Sequence, residues 1–441
     1  MKSHTRITLL CAASTLASAA LASAAAAETI TIATVNNADM IIMQKLSPKW
    51  EQQTGNKINW TVLEENVLRQ RVTTDIATKG GQFDIVTIGA YETPIWGKAG
   101  WLVPLDDFPA DYDYKDLLGP VKNGLSVDGK LFAVPFYAES SMTFYRTDLF
   151  KAAGLTMPDQ PTYADIRQLA DKLTDRSKDQ YGICLRGKPG WGENMAFVGT
   201  LVNTYGGTWF DMTWKPTIDT DAWKQAITYY VDILKADGPP GGTSNGANEG
   251  AALFQSGHCA IWIDATSNAG RVFDPKQSQV SDKTGFAKAP IAVTPKGAAW
   301  AWSWALGLPS STTKVAVAKD FARWATSKDY IKLVADFQGW VAVPPGTRQS
   351  TYDSPDYQKA APFAKASLDA ILSADPAHPT EKPVPYTGVQ FVAIPEFQSI
   401  GTTVGQDVAS ALAGSDSVDA ALKSAQASIE AVMRKTSYGK K

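Results

Sequence analysis

Histidine and cysteine are scarce in this sequence, and their scarcity excludes several kinds of chemistry. The 441 residues contain three His and three Cys, and no grouping of His, Cys and carboxylates has the spacing of a zinc site. A phosphate-binding loop ending in Lys and Ser or Thr is absent, and so is a Gly-x-Ser-x-Gly nucleophile motif. We therefore predict a protein that uses no metal and no cofactor.

Long apolar segments and basic patches are also missing. Beyond the N-terminal segment, no stretch is long and apolar enough to cross a bilayer. The formal net charge is −2 and no basic patch occurs, which argues against a nucleic-acid partner. At 441 residues the chain exceeds the size at which one core keeps growing, so we expect two lobes.

The N-terminus has the pattern of a secretory signal peptide. Lys2 and Arg6 precede a short apolar stretch, and small residues at 25–27 come just before Glu28. A basic start, an apolar centre and a small-residue cleavage site are typical of export signals. We predict a signal peptide over residues 1–27, cleavage near Ala27 and a periplasmic mature protein.

Two cysteines remain after this cleavage. Cys184 and Cys259 lie in apolar, strand-like runs at 181–185 and 258–263. In an oxidising compartment a disulfide between them is the favoured interpretation, and two separately buried thiols are the alternative.

Strand and helix patterns alternate along the mature chain. Predicted strands cover 29–35, 57–63, 83–88 and 142–145, and predicted helices cover 40–54, 66–79, 92–99, 148–153, 163–174, 221–236, 314–326 and 417–435. This alternation predicts an α/β fold with a parallel sheet covered by helices on both faces.

Tryptophan is concentrated in polar, glycine-rich segments. A flat indole ring beside carboxylates and amides suits a ligand with an apolar C–H face and a rim of hydroxyls, which describes a sugar or a sugar alcohol. Trp191 lies between two glycines, and Trp262 ends an apolar run. The alternative for each ring is burial in the core.

Trp300, Trp302 and Trp304 alternate, so they share one strand face, and we expect that they do not all line one small site. Trp302 is the ligand candidate of the three. Trp300 and Trp304 are assigned to packing in the hinge or the core.

The loops that follow strand ends supply the polar candidates, because ligands of parallel α/β sheets bind there. Carboxylates accept pairs of hydroxyl hydrogen bonds, which favours Glu64, Glu139 and Asp264. For Glu64 the alternative is a cap on the following helix. The other polar candidates are Asn36, Asn37, Tyr91, Asn194 and Arg348.

Several segments together resemble a known family. Residues 83–88, 131–137, 145–150 and 257–268 are similar to the extracellular solute-binding proteins of ABC importers, of the carbohydrate type related to maltose-binding protein. The similarity covers essentially the whole mature chain. Residues 181–194, with 262–266, resemble the branch of this family that binds sorbitol and mannitol.

The resemblance implies a periplasmic-binding-protein type II fold, with two α/β lobes joined by a multi-strand hinge and a ligand cleft between them. It places lobe 1 at 28–138 plus 305–345 and lobe 2 at 139–304 plus 346–441. The implied protein is a monomer and not an enzyme. It captures a polyol such as sorbitol, mannitol or arabitol and delivers it to an ABC permease.

Three alternatives remain open at this point. One is a binding protein for an aldose or an oligosaccharide. Another is an exported glycoside hydrolase, with Glu139 and Glu193 as its acid and nucleophile. The third is a chemoreceptor partner or adhesin that needs no small ligand.

Overall fold

Strands and helices alternate through residues 27–439, the part of the chain that this computed structural model describes. The first block contains β1 (Thr29–Val35), α1 (Ala38–Thr54), β2 (Lys57–Leu63), α2 (Glu65–Thr78), β3 (Ile85–Gly89), α3 (Glu92–Lys98), α4 (Gly119–Gly124), β4 (Ser126–Val127), β5 (Lys130–Leu131) and β6 (Ala133–Glu139). The predicted signal peptide, apart from Ala27, lies outside the described residues.

The remaining elements form a second block and a closing segment. The second block contains β7 (Ser141–Arg146), α5 (Thr147–Ala152), α6 (Tyr163–Leu173), β8 (Tyr181–Cys184), α7 (Asn194–Thr204), α8 (Asp221–Asp237), α9 (Ala247–Gln255), β9 (Cys259–Ala265), α10 (Ala269–Val272) and β10 (Thr284–Lys288). The closing segment contains β11 (Trp302–Gly307), α11 (Val315–Ala325), α12 (Lys328–Gln338), α13 (Gln349–Asp353), α14 (Pro355–Ala360), α15 (Ala364–Ser373), α16 (Phe397–Ala413) and α17 (Val418–Met433). No helix in the described range is long and apolar enough to span a membrane.

The first lobe is built on a five-stranded sheet with strand order β2-β1-β3-β11-β6. β1 is parallel to β2 and β3, as the alternating pattern predicts. β11 is antiparallel to both of its neighbours, so the prediction of a wholly parallel sheet is wrong here. The reason is topological, since β11 returns from the second block rather than through a helical crossover.

Local sequence signals fix the ends of the helices that reach the cleft. The Asn37 side chain accepts a hydrogen bond from the Met40 backbone N–H at 2.9 Å and begins α1. Gly55, with a left-handed φ of 78°, ends it. Glu64 caps α2 in the same way as Asn37 caps α1. Both capping residues therefore lie at the carboxyl ends of β1 and β2.

The second lobe is built on a four-stranded sheet with strand order β10-β7-β9-β8. β9 is parallel to the edge strand β8 and antiparallel to β7. A disulfide joins Cys184 on β8 to Cys259 on β9, so these cysteines are not separate thiols. It ties together the two strands that lead into the cleft.

Three chain segments pass between the lobes side by side. One links β6 to β7 through Ser140, and another leads into β11. In the third, the Pro345 carbonyl accepts a hydrogen bond from the Ala138 N–H at 2.9 Å. Gly346 has φ 76°, and a Cβ there would lie 2.2 Å from the Ala138 oxygen, so this close approach requires glycine.

The third segment stays on the first lobe beyond residue 345, the position at which the resemblance implies that it leaves. The Thr347 carbonyl accepts a hydrogen bond from Leu118 N–H at 2.9 Å, and Gln349 N–H donates to the Asp116 carbonyl at 2.8 Å. These backbone bonds hold the segment against the first lobe as far as the start of α13.

Candidate functional site

A cavity of about 290 Å³ lies between the two lobes, beside the hinge. Its volume is at the small end of ligand pockets, which are roughly 300–1,000 Å³. Both lobes and the hinge contribute side chains. Its polar and aromatic wall includes Asn36, Asn37, Glu64, Glu65, Arg69, Tyr137, Glu139, Arg186, Lys188, Trp191, Glu193, Asn248, Glu249, Ser267, Asn268, Arg271, Trp300, Trp302, Trp304 and Gln390.

Six of the side chains predicted from sequence lie in this wall: Asn36, Asn37, Glu64, Glu139, Trp191 and Trp302. The structure places Trp262, Asp264, Asn194, Tyr91 and Arg348 elsewhere. All five of these residues are buried.

Glu64 lies at the rim of the cavity and serves mainly the fold. Its carboxylate accepts from the Asn66 and Val67 backbone N–H groups at 3.0 and 3.3 Å, which caps α2. It also pairs with Lys188 Nζ of the second lobe at 2.7 Å. Glu64 is therefore a helix cap, as the alternative interpretation has it. The same carboxylate also bridges the two lobes.

The two asparagines after β1 also have structural partners. Asn37 caps α1, and its Nδ2 donates to the Tyr137 hydroxyl at 3.2 Å. The Asn36 carbonyl accepts from Asn248 Nδ2 of α9 at 2.9 Å, a second contact between the lobes. Asn36 is exposed, so its own side chain is free to contact a solute.

All three tryptophans around the start of β11 line the cavity, against the expectation that they would not share one small site. Trp300 and Trp304 are also buried in the core, at 2% and 4% exposed, as their assignment to packing predicts. Trp300 precedes the strand, whereas Trp302 and Trp304 lie on it. The Trp300 indole N–H is buried and has no acceptor in the described part of the chain. A buried donor of this kind is a candidate for binding a solute oxygen.

Trp191 lies in the wall but is only 1% exposed. Its indole N–H donates to Gln398 Oε1 at 2.9 Å. The guanidinium carbon of Arg69 lies 3.8 Å from the ring centroid, and the Tyr91 ring meets it edge-on at 5.0 Å. One face of the ring is thus occupied by protein, which weakens its interpretation as a stacking platform.

Trp262 is a core residue, and its prediction as a ligand contact is wrong. It is 0% exposed and lies between the rings of Phe144 and Phe254, with centroids 5.2 and 5.6 Å away. The cause is its position on β9, an inner strand covered on both faces.

Asp264, on the same strand, is buried behind the wall and does not line the cavity. It accepts from Arg186 Nε at 2.9 Å and Nη2 at 2.6 Å, and from Asn268 Nδ2 at 2.9 Å. Arg186 does line the cavity, and its Nη1 donates to the Gly192 carbonyl at 2.8 Å. The predicted acceptor therefore orients a donor that reaches the solute space.

Asn194 and Tyr91 hold loops in place instead of lining the cavity. Asn194 Oδ1 accepts from Gly190 N–H at 3.1 Å, and its Nδ2 donates to the Gly405 carbonyl at 2.8 Å. The Tyr91 hydroxyl donates to the Ile394 carbonyl and accepts from Gln398 N–H, both at 3.0 Å. Their polar groups are therefore already paired inside the protein.

Arg348 lies away from the cleft, in the interior of the first lobe. It is 0% exposed, stacks over Tyr112 at 4.7 Å and donates to the Thr326 carbonyl at 3.1 Å. Its Nη1 pairs with Asp116 at 3.3 Å. Arg348, one of the polar candidates, therefore does not line the cavity, because the third hinge segment carries it onto the first lobe.

Two buried carboxylates in the wall keep capacity for a solute. Glu139 accepts a hydrogen bond from the Ser267 hydroxyl, and burial raises its pKa to about 8. Glu193 accepts from Ala247 N–H at 3.0 Å, and burial, with the nearby charge of Glu65, raises its pKa to about 7. A carboxyl group whose pKa is close to neutral pH can accept hydrogen bonds when ionised and can donate one when protonated.

Arg271 is the most available cation of the wall. Its guanidinium donates to Asn268 Oδ1, and it forms no ion pair within the described chain. Burial lowers its pKa from the ordinary value. Its remaining N–H groups can therefore donate to solute hydroxyls.

Several wall residues are absent from the predicted site, for different reasons. Arg186 lies inside the segment 181–194 that carries the resemblance, so its motif gave a signal. Arg69 is in the middle of α2, where an arginine looks like an ordinary solvent-facing residue. Gln390 comes from a loop far along the chain and bonds Ala301 N–H and carbonyl at 3.2 and 3.1 Å, which no local pattern predicts.

Charges in the wall nearly balance, and this suits an uncharged solute. Carboxylates are contributed by Glu64, Glu65, Glu139, Glu193 and Glu249, and cations by Arg69, Arg186, Lys188 and Arg271. Among residues 27–439 no cluster of three His, Cys or carboxylate groups is placed to hold a metal ion. The arrangement offers hydrogen bonds and aromatic surface for binding.

Comparison with known proteins gives the chain a family context. Residues 35–332 match the family described as bacterial extracellular solute-binding protein. The chain is 56% identical over 414 residues to the mannitol-binding protein of Pseudomonas aeruginosa, a match that spans 94% of this chain and 95% of the relative.

Solved structures are similar over more than nine-tenths of the chain. The ABC transporter solute-binding protein of Agrobacterium vitis S4, with bound D-mannitol, is 60% identical, with a TM-score of 0.92 over 93% of this chain and 100% of that one. The solute-binding protein of Agrobacterium radiobacter K84 in complex with ribitol is 26% identical, with a TM-score of 0.81 over 92% and 98% of the two chains.

Proposed function

The chain belongs to the bacterial extracellular solute-binding protein family, and on this premise we propose that it captures a polyol between its two lobes and delivers it to an ABC permease. Mannitol is the polyol we expect it to prefer, with sorbitol and arabitol as related candidates. The composition of the cavity wall carries the proposal.

The wall combines the groups that polyol recognition needs. Glu139 and Glu193 supply buried carboxyl oxygens, Arg186 and Arg271 supply N–H donors, and the tryptophans supply apolar surface. A polyol offers neighbouring hydroxyls for paired, charge-assisted hydrogen bonds and C–H groups for the rings. The mannitol-binding relative from Pseudomonas aeruginosa supports the same class of solute.

The size of the cavity favours a single small polyol over an oligosaccharide. A space of about 290 Å³ closed by contacts from both lobes leaves little room for a second sugar unit. An aldose of similar size differs mainly in its ring and anomeric oxygen. A site that pairs each hydroxyl is expected to separate such solutes by their geometry.

We further propose a periplasmic monomer that is exported by cleavage near Ala27. Family membership supports the periplasmic location and the permease partner. Mass spectrometry of the protein from the periplasmic fraction would locate the N-terminus. Light scattering in solution would give the oligomeric state.

A thermal-shift panel of hexitols, pentitols and the matching aldoses tests the solute. Saturating ligand stabilises a protein that binds it, by about 2.7 kcal/mol at a hundred times the dissociation constant. We expect the largest rise in Tm with D-mannitol. A panel in which aldoses or disaccharides raise the Tm and hexitols do not would overturn the polyol assignment.

Turnover separates capture from catalysis. We propose that the protein has no hydrolytic activity, consistent with relatives that are binding proteins. Incubation of the mature protein with polyols and glycosides, followed by chromatography, should return the starting compounds. Sustained release of sugar would instead support the glycoside hydrolase alternative.

A further inference from the structure

Arg69 and Trp191 form a stacked contact across the two lobes. Arg69 lies on α2 of the first lobe, and Trp191 lies in the loop between β8 and α7 of the second. The guanidinium carbon is 3.8 Å from the ring centroid, and the two side chains are 5% and 1% exposed. A cation over an indole face at this distance, and out of water, is a favourable cation–π arrangement.

Each partner is held by its own lobe. Arg69 Nε and Nη2 donate to Glu65 Oε1 at 3.0 and 2.8 Å, and its Nη1 donates to Glu92. Both carboxylates are on the first lobe. Trp191 is held on the second lobe by its hydrogen bond to Gln398. The two flat groups are thus oriented before the lobes meet.

The loop around Trp191 fits closely against the first turns of α2. A Cβ at Gly192 would lie 1.8 Å from Glu65 Oε1, so a larger residue would displace the carboxylate that holds Arg69. Asn66 Nδ2 donates to the Pro189 carbonyl at 3.3 Å, and Lys188 pairs with Glu64. The stacked pair is the buried part of this interlobe contact, and the polar bonds surround it.

We infer that Arg69 and Trp191 couple solute capture to lobe closure, so that Trp191 is a positioning residue of the closed form and not a ring stacked on the solute. The inference rests on the proposed function, since it assumes that the lobes close over a polyol. Arg69 covers one ring face, and Tyr91 and Phe397 pack edge-on against the ring at 5.0 and 6.0 Å. Since Trp191 is only 1% exposed, little of its ring surface remains for stacking on a solute.

A double-mutant cycle tests this coupling. Trp191→Leu, Arg69→Lys and the double variant are compared with the parent by calorimetric titration with D-mannitol. Lys keeps a positive charge for Glu65 and Glu92 but loses the planar guanidinium. We expect each single change to weaken mannitol binding roughly tenfold, and the double variant to be no weaker than Trp191→Leu.

Unfolding of the unliganded variants distinguishes this coupling from a purely structural role. If the contact belongs to the closed form, the two changes add in unliganded stability but not in mannitol affinity. Effects on the dissociation constant that multiply in the double variant would overturn the inference. A parent protein that fails to bind mannitol would instead refute the proposed function before any variant is made.

Gly192→Ala provides a third variant, which disturbs the interlobe contact without changing either stacked side chain itself. Its methyl group would meet Glu65, so we expect weaker mannitol binding and a larger radius of gyration by small-angle scattering at saturating mannitol. Gly119→Ala is the matched control, because nothing lies within 4 Å of its added Cβ. Unchanged affinity and radius in Gly192→Ala would also count against the coupling.

Discussion

Individual side chains around the cavity divide by how much hydrogen-bonding capacity the fold has already used. The side-chain oxygens of Glu64 and Asn37 accept helix-capping hydrogen bonds. Glu139, Glu193 and Arg271 keep polar atoms that can still bind a solute. Residue type and loop position predict both kinds equally well. The sequence therefore predicts which acceptors lie near the strand ends, but it does not show which of them remain free to bind a solute.

Glu139 should make the stability of the unliganded protein depend on pH. Burial raises its pKa from 4.5 to about 8, so the folded state holds a proton that the unfolded state releases earlier. This contribution is fully present below pH 4.5 and is lost as the pH rises through about 8. Glu193, raised to about 7, acts in the same direction.

We therefore expect the free energy of unfolding to fall across this pH range, and Glu139→Gln to flatten the fall. Urea unfolding at a series of pH values without ligand measures it, and Glu28→Gln, an exposed position, is the control. An unchanged slope in Glu139→Gln would show that its carboxyl is not protonated in the fold.

Arg186 is not among the predicted ligand-binding residues, but we expect it to contribute to solute affinity. Two of its N–H groups hold Asp264, and a third holds the Gly192 carbonyl. Lys cannot reproduce this planar set, so we expect Arg186→Lys to weaken D-mannitol binding about tenfold or more. Calorimetric titration measures it, with the exposed Arg71→Lys as control. Equal affinity in both variants would remove Arg186 from the site.

At the scale of elements, capping explains why several helices begin where the sequence predicts. α6 starts at a reciprocal cap, in which Asp165 N–H donates to Thr162 Oγ1 at 3.0 Å and Thr162 N–H donates to Asp165 Oδ2 at 2.8 Å. We expect Thr162→Ala to lower the free energy of unfolding by about 1 kcal/mol, without changing mannitol affinity.

Thr220 offers the matched control for that change. It also precedes a helix, α8, but its side chain accepts no cap hydrogen bond and its hydroxyl donates to the Thr217 carbonyl. Urea unfolding should show a smaller loss for Thr220→Ala. Equal losses would mean that the cap bond at α6 contributes little.

The sequence predicted elements better than it predicted their assembly. Periodicity and caps located β1, β2 and α6 to within a residue or two, because those signals are local. The direction of β11 depends on where the chain has travelled since β10, and no local pattern encodes that. The same limit hid Gln390, which reaches the cavity only through the packing of distant segments.

At the scale of the whole molecule, the crossing at Gly346 should control how the lobes meet. Alanine would be strained at φ 76° and would collide with the Ala138 carbonyl oxygen. We expect Gly346→Ala to cost about 1–3 kcal/mol of stability and to weaken mannitol binding as well. Unfolding and titration measure the two effects, again against Gly119→Ala. A stable variant with parental affinity would show that the hinge adjusts freely.

The partners of the buried cations bear on how the protein unloads. Arg69 keeps Glu65 and Glu92 on its own lobe, and Arg186 likewise keeps Asp264. When the lobes separate, both guanidinium groups therefore keep their carboxylate partners. The Lys188–Glu64 pair is partly exposed, so it separates into water at little cost in free energy. The dwell time of a solute then depends on its own contacts, on the Arg69–Trp191 stack and on the interlobe hydrogen bonds around it. Substitutions at these wall and interlobe residues are therefore expected to change the rate of solute release and to leave the fold of each lobe unaltered.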